Sequence, residues 1–385
     1  MANQSGEKSG GRLASLDVFR GATVAGMMLV NNPGDWGHIY APWGHAKWDG
    51  WTYTDTIFPF FLWIVGVAMM LSFEKRIERG DDKGKLAMHV LQRAVIIFAL
   101  GLFLAGFPFG LFGSKFSLAA IRIPGVLQRI AVCYFVAGIF VLNFSVRVQA
   151  AITFALLVFY WILMKTINVP GYGVGLWEMK GNFVWFIDSH LLSGHTWRGA
   201  PVPGFDPEGI FSTIPAIGTI MFGVFTGSFL RTKQSKEEKV AWMFFAGSIV
   251  MLIGLIMDNW QPINKNLWTN SYAVFMAGLA LNVLGCCFWI IDVKGYKSWS
   301  KPFEIYGQNA ITMFLLSGLI GRLTGVIRWE TLDGKMISLK GWYYQTFFVP
   351  LGDPMIASFL HSIAFMLFLY CIAYVMYKKN WIIKV

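Results

Sequence analysis

The chain has little charge for its length. Only 14% of its 385 residues are charged, whereas a soluble globular protein is usually about a quarter charged. Acidic residues are the scarcest, with 21 Asp and Glu against 32 Lys and Arg, while 56% of the residues are hydrophobic. This deficit and the many long apolar runs exclude an ordinary soluble domain and predict a polytopic helical membrane protein. The net charge of +11 therefore does not imply a nucleic-acid partner.

Cysteine is also scarce, and the common motifs of nucleotide hydrolysis and metal catalysis are missing. The four cysteines lie in apolar runs and lack the spacing of a zinc site, so we expect small buried side chains rather than disulfides. The sequence contains neither a GxxxxGK[ST] loop nor an HExxH motif. We therefore predict no metal. We also expect no cleavable signal peptide, because the first residues, MANQSGEKSGGR, are polar.

Apolar runs of about 20 residues can cross a bilayer as helices. The sequence predicts about ten of them in one all-α bundle, at 15–31, 53–73, 89–109, 123–143, 148–167, 209–230, 239–258, 269–291, 302–321 and 355–377. The first run is the weakest by hydropathy because it is short and carries Asp17 and Arg20. We predict a flexible cytoplasmic N-terminus over 1–11 and a single transmembrane domain over 12–385.

The loops predict the orientation of the chain. Short loops rich in Lys and Arg lie at 74–85, 231–239, 292–301 and the C-terminal tail, and they alternate with longer loops poor in basic residues. Because basic loops stay in the cytoplasm, both termini are predicted to be cytoplasmic. The two longest outer loops, 168–208 and 322–354, are rich in Gly, Trp, Tyr and Pro. Their aromatic side chains can stack on sugar rings or form an interfacial belt.

Residues 31–66 combine polar and aromatic side chains at a predicted membrane edge on the outer side. His45 lies in WGHAKWDG, ten residues before Asp55, and Asn31 ends the first span. A neutral imidazole can take a proton from an attacking group, and a carboxylate can orient the ring. An amide can bind an oxyanion. The alternatives are an interfacial histidine bonded to a loop carbonyl and an asparagine that satisfies a helix end.

The other histidines remain open as alternatives. His38 competes with His45 for the role of base on the same evidence. His190 and His195 lie in the large outer loop, where they can touch a substrate. His89 opens a helix near the cytoplasmic face, and His361 lies inside the last span.

Asp17 and Arg20 are three residues apart and therefore share one face of the first helix. Arg20, with Arg12 close by, is a candidate contact for an anion on the cytoplasmic side. The alternative is a structural ion pair.

The segment RIPGVLQR (122–129) places Arg122, Gln128 and Arg129 around a Pro–Gly break. Unwound helices in membranes occur mainly where they line a cavity. These side chains can bind phosphates or a polar substrate. Alternatively, they only flank the start of a span.

Two further polar segments contain candidate substrate contacts. FDPEGIFSTIPAIG (205–218) places Asp206 and Glu208 just before a helix, where acidic residues are favourable for dipole reasons alone. In YGQNAITMF (306–314), Asn309 within an apolar run suggests a cavity or an interhelical hydrogen bond.

Seven motifs together resemble one known family. They are RLASLDVFRG (12–21), LVNN (29–32), GHAKWDGWTYTDTIFPFF (44–61), RIPGVLQR (122–129), FDPEGIFSTI (205–214), NKNLWTNSY (264–272) and YGQNAI (306–311). From about residue 12 to its end, the chain resembles the heparan-α-glucosaminide N-acetyltransferase family and its bacterial homologues, within the transmembrane acyltransferase superfamily. RIPGVLQR and the HAKWDG…D…FP pattern are specific in combination.

The resemblance implies a transmembrane acyltransferase domain and a reaction. Acetyl-CoA from the cytoplasm donates its acetyl group to an amino sugar, such as glucosamine, on the other side of the membrane. His45 matches the active-site histidine, with Asn31 and Asp55 beside it. The implied CoA contacts are Arg12, Arg20, Arg122, Gln128 and Arg129, and the substrate contacts that we predict are Trp48, Asp49, Asp206, Glu208 and Asn309. The resemblance also implies a homodimer, and we expect a bacterial inner membrane with His45 on the periplasmic side.

Several mechanisms and functions remain open. We favour direct transfer over an acetyl-histidine intermediate. A hydroxyl acceptor would make the protein an O-acetyltransferase of an envelope polysaccharide. A sugar permease without acyl transfer is the alternative from another class, although the sequence shows no internal repeat.

Overall fold

The computed structural model describes residues 13–114 and 116–383, with only the backbone described at residues 74, 75 and 77. The predicted flexible N-terminus, 1–11, lies outside these residues. Helices dominate the described chain. They are α1 (Ala14–Asn31), α2 (Tyr53–Glu78), α3 (Lys83–Gly106), α4 (Val126–Asn143), α5 (Val146–Thr166), α6 (Phe183–Leu191), α7 (Thr213–Leu230), α8 (Lys236–Met257), α9 (Asn270–Phe288), α10 (Lys301–Gln308), α11 (Ala310–Val326), α12 (Leu339–Phe347) and α13 (Pro354–Lys378).

In the described chain, eight helices are long and apolar enough to cross a membrane. α10 and α11 together meet the same criteria as a ninth span, but the two are bent by 81° at the break. A helix occupies each of the ten predicted apolar runs. The prediction of an all-α polytopic membrane protein is therefore confirmed, and the count of about ten spans is close.

α1 does not count among the eight apolar helices because of its polar residues, yet it lies at the centre of the bundle. It packs against α2, α9, α10, α11 and α13, and most of its residues are buried. Within it, Arg20 Nη1 lies 3.1 Å from Asp17 Oδ1 and 3.4 Å from the carbonyl oxygen of Gly307. Surrounding helices shield α1 from lipid, so it can carry a charge pair that a lipid-facing helix could not.

α2 and α7 approach so closely that only glycine fits at their crossing. A Cβ at Gly66 would lie 2.0 Å from the carbonyl oxygen of Ile220, and one at Gly223 would lie 2.0 Å from that of Trp63. Small residues at such crossings let helix backbones pack directly in a membrane. α2 and α7 therefore pack backbone against backbone, and α2 follows the His45 loop while α7 follows the segment of Asp206.

The predicted basic loops gather at one end of the bundle. Arg231, after α7, pairs with Glu78 at the end of α2. The ammonium of Lys236 donates to the carbonyl of Asp292 (2.9 Å), and the carboxylate of Asp292 accepts from the amide of Ser15 at 3.2 Å. This end of the bundle, the basic end, therefore joins the start of α1 with the loops after α2, α7 and α9.

The loops that are poor in basic residues meet at the opposite end. Arg122, before α4, binds Asp206, before α7. The amide of Gly50, before α2, donates to the carbonyl of Ile263, before α9, at 2.7 Å. We call this end the His45 end, because it also holds the loop of His45. The segregation of charge between the two ends is what the positive-inside rule expects.

Both predicted long outer loops contain regular structure. α6 lies in the first loop and contacts α5. The ring of Phe183, on α6, packs edge-on against Phe211 with 4.9 Å between centroids, and Phe211 stacks on Tyr160 of α5 at 5.4 Å. The second loop forms the antiparallel hairpin β1 (Arg328–Glu330) and β2 (Met336–Ser338), followed by α12. These loops therefore form a layer of structure over the His45 end.

Candidate active site

A short loop before α2 brings His45 against the first turn of that helix. His45 Nδ1 lies 2.6 Å from Asp55 Oδ1, and the other carboxylate oxygen accepts from the amides of Ala46 (2.9 Å) and Thr52 (3.1 Å). Asp55 thus only accepts hydrogen bonds, as an ionised carboxylate does. The proton of a neutral His45 must therefore reside on Nδ1, which leaves Nε2 free to accept a proton.

Contacts from neighbouring elements fix this pair in place. The hydroxyl of Tyr272, on α9, donates to the backbone carbonyl of Asp55 at 2.6 Å. The side-chain amide of Asn264 donates to the carbonyl of Trp48 (3.0 Å) and to the Asp49 carboxylate (3.1 Å). The Asp55 side chain is 1% exposed and that of His45 is 49% exposed. The imidazole of His45 is therefore accessible while its carboxylate partner is buried.

His45 opens onto a cavity of about 770 Å³, which is in the size range of small-molecule sites. Its polar lining comprises Thr23, Asn31, His45, Lys47, Thr54, Arg122, Glu208, Lys265 and Asn266. Trp36, Trp43 and Trp197 also line it and supply aromatic surface. Four of the predicted site residues therefore share one cavity: Asn31, His45, Arg122 and Glu208.

The deeper part of the cavity is apolar and ends within the bundle. Along α1 the lining runs from Asn31 back to Thr23, which is ~12 Å of helix. Below that level, the Phe19 ring lies with its centroid 5.3 Å from that of Phe60 and 6.3 Å from that of Trp63, and all three side chains are buried. These three rings, the aromatic plug, pack together, and Phe19 lies one helical turn nearer the basic end than Thr23, the last cavity residue on α1.

Cations outnumber acids around the cavity. Lys47, Arg122 and Lys265 line it, whereas Glu208 is its one acidic lining residue within the described chain. Burial alone would raise the pKa of Glu208, but the charges of Arg122, Lys265 and Arg129 outweigh burial and lower it. Glu208 is therefore ionised, and because Glu208 and Asp206 together bind Arg122, the cations that remain for an anionic ligand are Lys47 and Lys265.

Arg122 is held by two carboxylates rather than left free for a ligand. Its Nε and Nη2 atoms bind the two oxygens of Asp206 at 2.8 and 2.5 Å, and Nη2 also lies 2.5 Å from Glu208 Oε2. Burial lowers the pKa of Arg122, but the two carboxylates raise it by more than burial lowers it, so the pKa of Arg122 is higher than usual. Asp206 is fully buried, and it also accepts from the amides of Trp197 and Glu208.

Apart from Arg122, none of the predicted CoA contacts that the structure describes lines the cavity. Arg129 is buried on α4, where Nη2 donates to Gly209 O (3.1 Å) and to Ser212 Oγ (2.5 Å). Gln128 is buried beside Gly101, and Arg20 lies towards the basic end on α1. Arg12 lies outside the described residues. The four described residues therefore do not all line one cavity.

The predicted substrate contacts also separate. Trp48 packs edge-on against Phe205 (5.6 Å between centroids), and its indole donates to the carbonyl of Trp177. Asn309 lies at the break between α10 and α11, where its amide donates to Trp381 O (3.0 Å) and its oxygen accepts from the amide of Ile383 (2.9 Å). Asn309 anchors the C-terminal segment, and of the five predicted contacts only Glu208 lines the cavity.

In the described chain, His45 is the one histidine on this cavity. His38 pairs with Asp35 at 2.6 Å, outside it. The Nδ1 atoms of His190 and His195 bond the carbonyls of Phe186 and Ile121, at 2.7 and 2.8 Å. The geometry thus separates His45 from His38, which sequence spacing alone had not done.

Lys265, Lys47 and Trp197 were missed by the sequence analysis. Lys265 follows Asn264 in a tight turn in which Asn264 Oδ1 accepts from the amide of Leu267 at 2.9 Å. This turn presents Lys265 to the cavity beside Glu208. The motif NKNLWTNSY contains Lys265, but the sequence alone does not place this lysine near His45. The two meet because the α8–α9 loop pairs with the loop before α2, through the hydrogen bond from Gly50 to Ile263.

A buried acid next to the site predicts a pH-dependent stability. Burial raises the pKa of Asp188, on α6, to about 7. The folded protein then holds a proton that the unfolded chain releases near pH 4. Stability from this group is therefore complete below about pH 4 and is lost as the pH rises through about 7, with a slope of ~1.4 kcal/mol per pH unit between them.

We expect Asp188→Asn to remove this dependence. Melting temperatures of the detergent-solubilised protein, measured from pH 5 to pH 8, should fall with rising pH more steeply for the wild type than for the variant. Subtracting one curve from the other cancels the contributions of all other groups. Parallel curves would show that Asp188 is ionised across this range.

Most of the chain is similar in sequence to known proteins. Residues 12–259 match the family model described as heparan-alpha-glucosaminide N-acetyltransferase, catalytic. The human protein of that name is 29% identical over an alignment of 353 residues, which covers 79% of this chain and 52% of that protein. The mouse protein is 28% identical over an alignment of 356 residues, which covers 80% of this chain and 53% of that protein. The chain thus spans about half the length of the curated relatives it matches.

Proposed function

The chain belongs to the heparan-alpha-glucosaminide N-acetyltransferase catalytic family, and from this premise we propose that it transfers the acetyl group of acetyl-CoA to the amine of a glucosamine-type sugar. The observation that carries the proposal is the His45–Asp55 pair, whose imidazole lines a cavity that Lys47 and Lys265 also line. Acetyl-CoA is an anionic co-substrate, so this lining suits it.

His45 acts as the general base in the proposed reaction. The acceptor amine attacks the thioester carbonyl, and Nε2 takes the proton that the nitrogen loses. The carbon–sulfur bond then breaks, and the imidazolium returns the proton to the CoA thiolate. Asp55 stabilises the transient imidazolium and holds the ring in the required tautomer. Transfer is direct, without an acetyl-histidine.

Asn31 and Lys265 are placed to stabilise the negative charge that develops on the thioester oxygen. Both line the cavity with His45, and preorganised donors of this kind lower the barrier most where water is excluded. The Arg122–Asp206–Glu208 cluster has a different role in this proposal. It orders the segment before α7 that forms one wall of the cavity, rather than binding a free phosphate.

Replacing Lys265 by methionine is expected to lower kcat/KM for acetyl transfer by ~10²-fold, because a partly buried stabilising charge is lost while the aliphatic part of the side chain remains. Lys265→Arg should recover part of the activity. Lys180→Met, at an exposed lysine of the same end that does not line the cavity, is the matched control and should retain wild-type rates. Steady-state kinetics with purified protein check this, and equal kcat/KM values for Lys265→Met and the control would exclude the role.

We propose that the basic end faces the cytoplasm and the His45 end the periplasm of a bacterial inner membrane. The charge segregation of the loops supports this orientation. In this proposal the donor enters from the cytoplasm past the aromatic plug, whose three rings are buried. Whether two copies of the chain associate as a homodimer stays a prediction.

The function is tested with purified protein and radiolabelled acetyl-CoA. Glucosamine and N-acetylglucosamine are offered as separate acceptors, and labelled products are separated by chromatography. We expect label on glucosamine nitrogen. Label on the hydroxyls of N-acetylglucosamine instead would identify an O-acetyltransferase. Glucosamine uptake into proteoliposomes without release of CoA would identify a permease and contradict the proposal.

A further inference from the structure

A second cavity, of about 620 Å³, lies between α11, α12, α13 and the end of α1. The function proposed above makes no use of this space, which we call the α12 cavity. Its lining follows α11 from Phe314 to Thr324, which is ~15 Å of helix. Half of the hydrocarbon core of a bilayer is also ~15 Å thick. The α12 cavity is therefore about as long as one leaflet is deep.

The α12 cavity is open to the outer surface of the bundle. Phe368 and Trp342 line it, and both side chains are exposed. Phe368 lies near the middle of α13, a helix that is long and apolar enough to cross a membrane. The exposed face of Phe368 therefore meets lipid, and the slot between α11 and α13 is accessible to a lipid chain from the side.

The walls of this slot are mostly apolar. The lining side chains that α11 and α13 contribute at membrane depth include Phe314, Ile320, Ala364, Phe365 and Phe368. Such a surface stabilises an aliphatic chain by removing it from water, but it offers few hydrogen bonds to a polar ligand. The shape and chemistry of the slot therefore suit an acyl chain.

Two cations without carboxylate partners lie where the slot reaches the His45 end. Arg322 is four residues before the end of α11, and Lys340 is in the first turn of α12. Arg322 Nη1 lies 3.5 Å from the carbonyl oxygen of Phe107. In the part of the chain that the structure describes, neither side chain forms an ion pair, and no Asp or Glu lines this cavity.

The charges around these two cations leave them without compensation. The charge of Asp35 acts on Lys340, but the Asp35 oxygens are already bonded to His38 Nδ1 (2.6 Å) and to the amide of Gly37 (2.8 Å). The charge that acts on Arg322 is that of a further cation, Arg122. An anionic group between Arg322 and Lys340 would supply the missing negative charge.

The aromatic residues of α12 place the two cations at the depth of lipid headgroups. Trp342 and Tyr343 line the cavity and are exposed. Trp and Tyr side chains concentrate at the membrane–water interface. Basic pockets between membrane helices at this depth bind the headgroups of anionic lipids. One ligand can therefore meet both parts of the cavity, with its anionic group at the cations and its chain in the slot.

We propose that the α12 cavity binds an anionic phospholipid from the leaflet at the His45 end. The phosphate lies between Arg322 and Lys340, and one acyl chain lies between α11 and α13. Asn31, Trp36 and Phe314 line both cavities, so the bound lipid forms part of the boundary of the His45 cavity. A soluble phosphate shares the headgroup chemistry but leaves the apolar slot empty.

Lipid binding to the purified protein tests the headgroup contact. The delipidated protein in neutral detergent is titrated with phosphatidylglycerol or phosphatidylcholine, and native mass spectrometry counts the bound lipids. We expect the wild type to bind phosphatidylglycerol more tightly than phosphatidylcholine. Arg322→Gln and Lys340→Gln should each weaken phosphatidylglycerol binding by ~10-fold, because one charge-assisted contact to the phosphate is lost. Their binding of phosphatidylcholine should change less.

The controls for the headgroup variants are Arg328→Gln and Lys335→Gln. Both residues are exposed cations of the β1–β2 hairpin that do not line the cavity, so both variants should bind lipid as the wild type does. A weakening in these controls equal to that in Arg322→Gln would reduce the effect to general surface charge and would overturn the proposal. So would wild-type binding without preference for phosphatidylglycerol.

Ala364→Phe tests the chain contact, because the larger ring fills the slot between α11 and α13. We expect it to weaken binding of both lipids, whereas Val375→Phe, at an exposed position of α13 outside the cavity, should not. Melting temperatures in lipid-free detergent should match the wild type and so show that the variants fold. Unchanged lipid binding by Ala364→Phe would place the chain elsewhere and contradict the proposal.

Two further measurements exclude other occupants, and neither depends on acetyl transfer. Phosphatidylglycerol should raise the melting temperature of the wild type, and glycerol 3-phosphate at equal concentration should not. Equal stabilisation by the two would identify a site for a soluble anion. The mass of the protein–detergent complex should be the same for the wild type and Arg322→Gln. A smaller assembly in the variant, with lipid binding unchanged, would assign the surface to a second copy of the chain and overturn the proposal.

Discussion

His45→Gln is expected to lower kcat for acetyl transfer by ~10³-fold, since a positioned general base contributes in this range. The amide can still hydrogen-bond Asp55 but cannot take a proton from the attacking amine. The change is measured with labelled acetyl-CoA and glucosamine. The fold should be retained, because the His45 side chain is half exposed and its loop is fixed by Asn264 and Gly50.

The chain supplies a matched control for this variant. His38 binds Asp35 at 2.6 Å, the same separation as in the His45–Asp55 pair, but it does not line the cavity. His38→Gln should therefore retain full activity. Equal loss in both variants would point to a general effect on the outer loops, and equal activity would remove His45 from the mechanism.

The same variant distinguishes direct transfer from an acetyl-histidine intermediate. In direct transfer, radiolabelled acetyl-CoA without acceptor leaves no label on the protein. A covalent intermediate would label the wild type but not His45→Gln, and the label would be discharged by glucosamine. Mass spectrometry of the peptide that contains His45 locates any adduct, and its presence would contradict direct transfer.

The helices could be predicted from the sequence because membrane spans depend on local hydropathy, which the sequence displays directly. All ten predicted runs are helical. α1 differs from the other helices, because its charged residues suit a helix that is surrounded by other helices rather than by lipid. Hydropathy alone does not show that α1 is surrounded in this way. The enclosure comes from tertiary contacts with other helices, among them α2 and α10, and α10 is distant in the sequence.

The His45–Asp55 pair could be predicted, since ten residues of loop suffice to bring an imidazole back to the next helix. The roles of the arginines could not be read in the same way. RIPGVLQR places Arg122 in an extended segment and Arg129 inside α4. The first therefore meets Asp206, and the second turns into the core against Trp268, with its guanidinium 5.0 Å from the ring centroid. Arg122 and Arg129 are close in sequence, which suggested one site. The backbone changes from extended to helical between them, so the two side chains lie in different environments.

Asp55→Asn is expected to reduce kcat nearly as strongly as the loss of His45 itself. In the native site, Asp55 Oδ2 accepts from the amides of Ala46 and Thr52, and Oδ1 accepts from His45 Nδ1. The single amide oxygen of asparagine must remain with the two backbone donors, because both are fixed. Its NH₂ group would then face Nδ1 and donate to it, so the imidazole proton would move to Nε2. The nitrogen at the cavity would carry a proton instead of accepting one.

The expected loss for Asp55→Asn is ~10³-fold, since the exchange of an orienting carboxylate for an amide costs about 10⁴ in the Ser-His-Asp arrangement and His45 is more exposed to solvent here. Asp35→Asn, which makes the same exchange beside His38, should leave the rate with glucosamine unchanged. A tautomer effect also predicts that Asp55→Asn keeps the wild-type KM, because no contact with substrate is lost. A raised KM with an unchanged kcat would instead mean that Asp55 binds the acceptor, and its role as the partner of the base would be wrong.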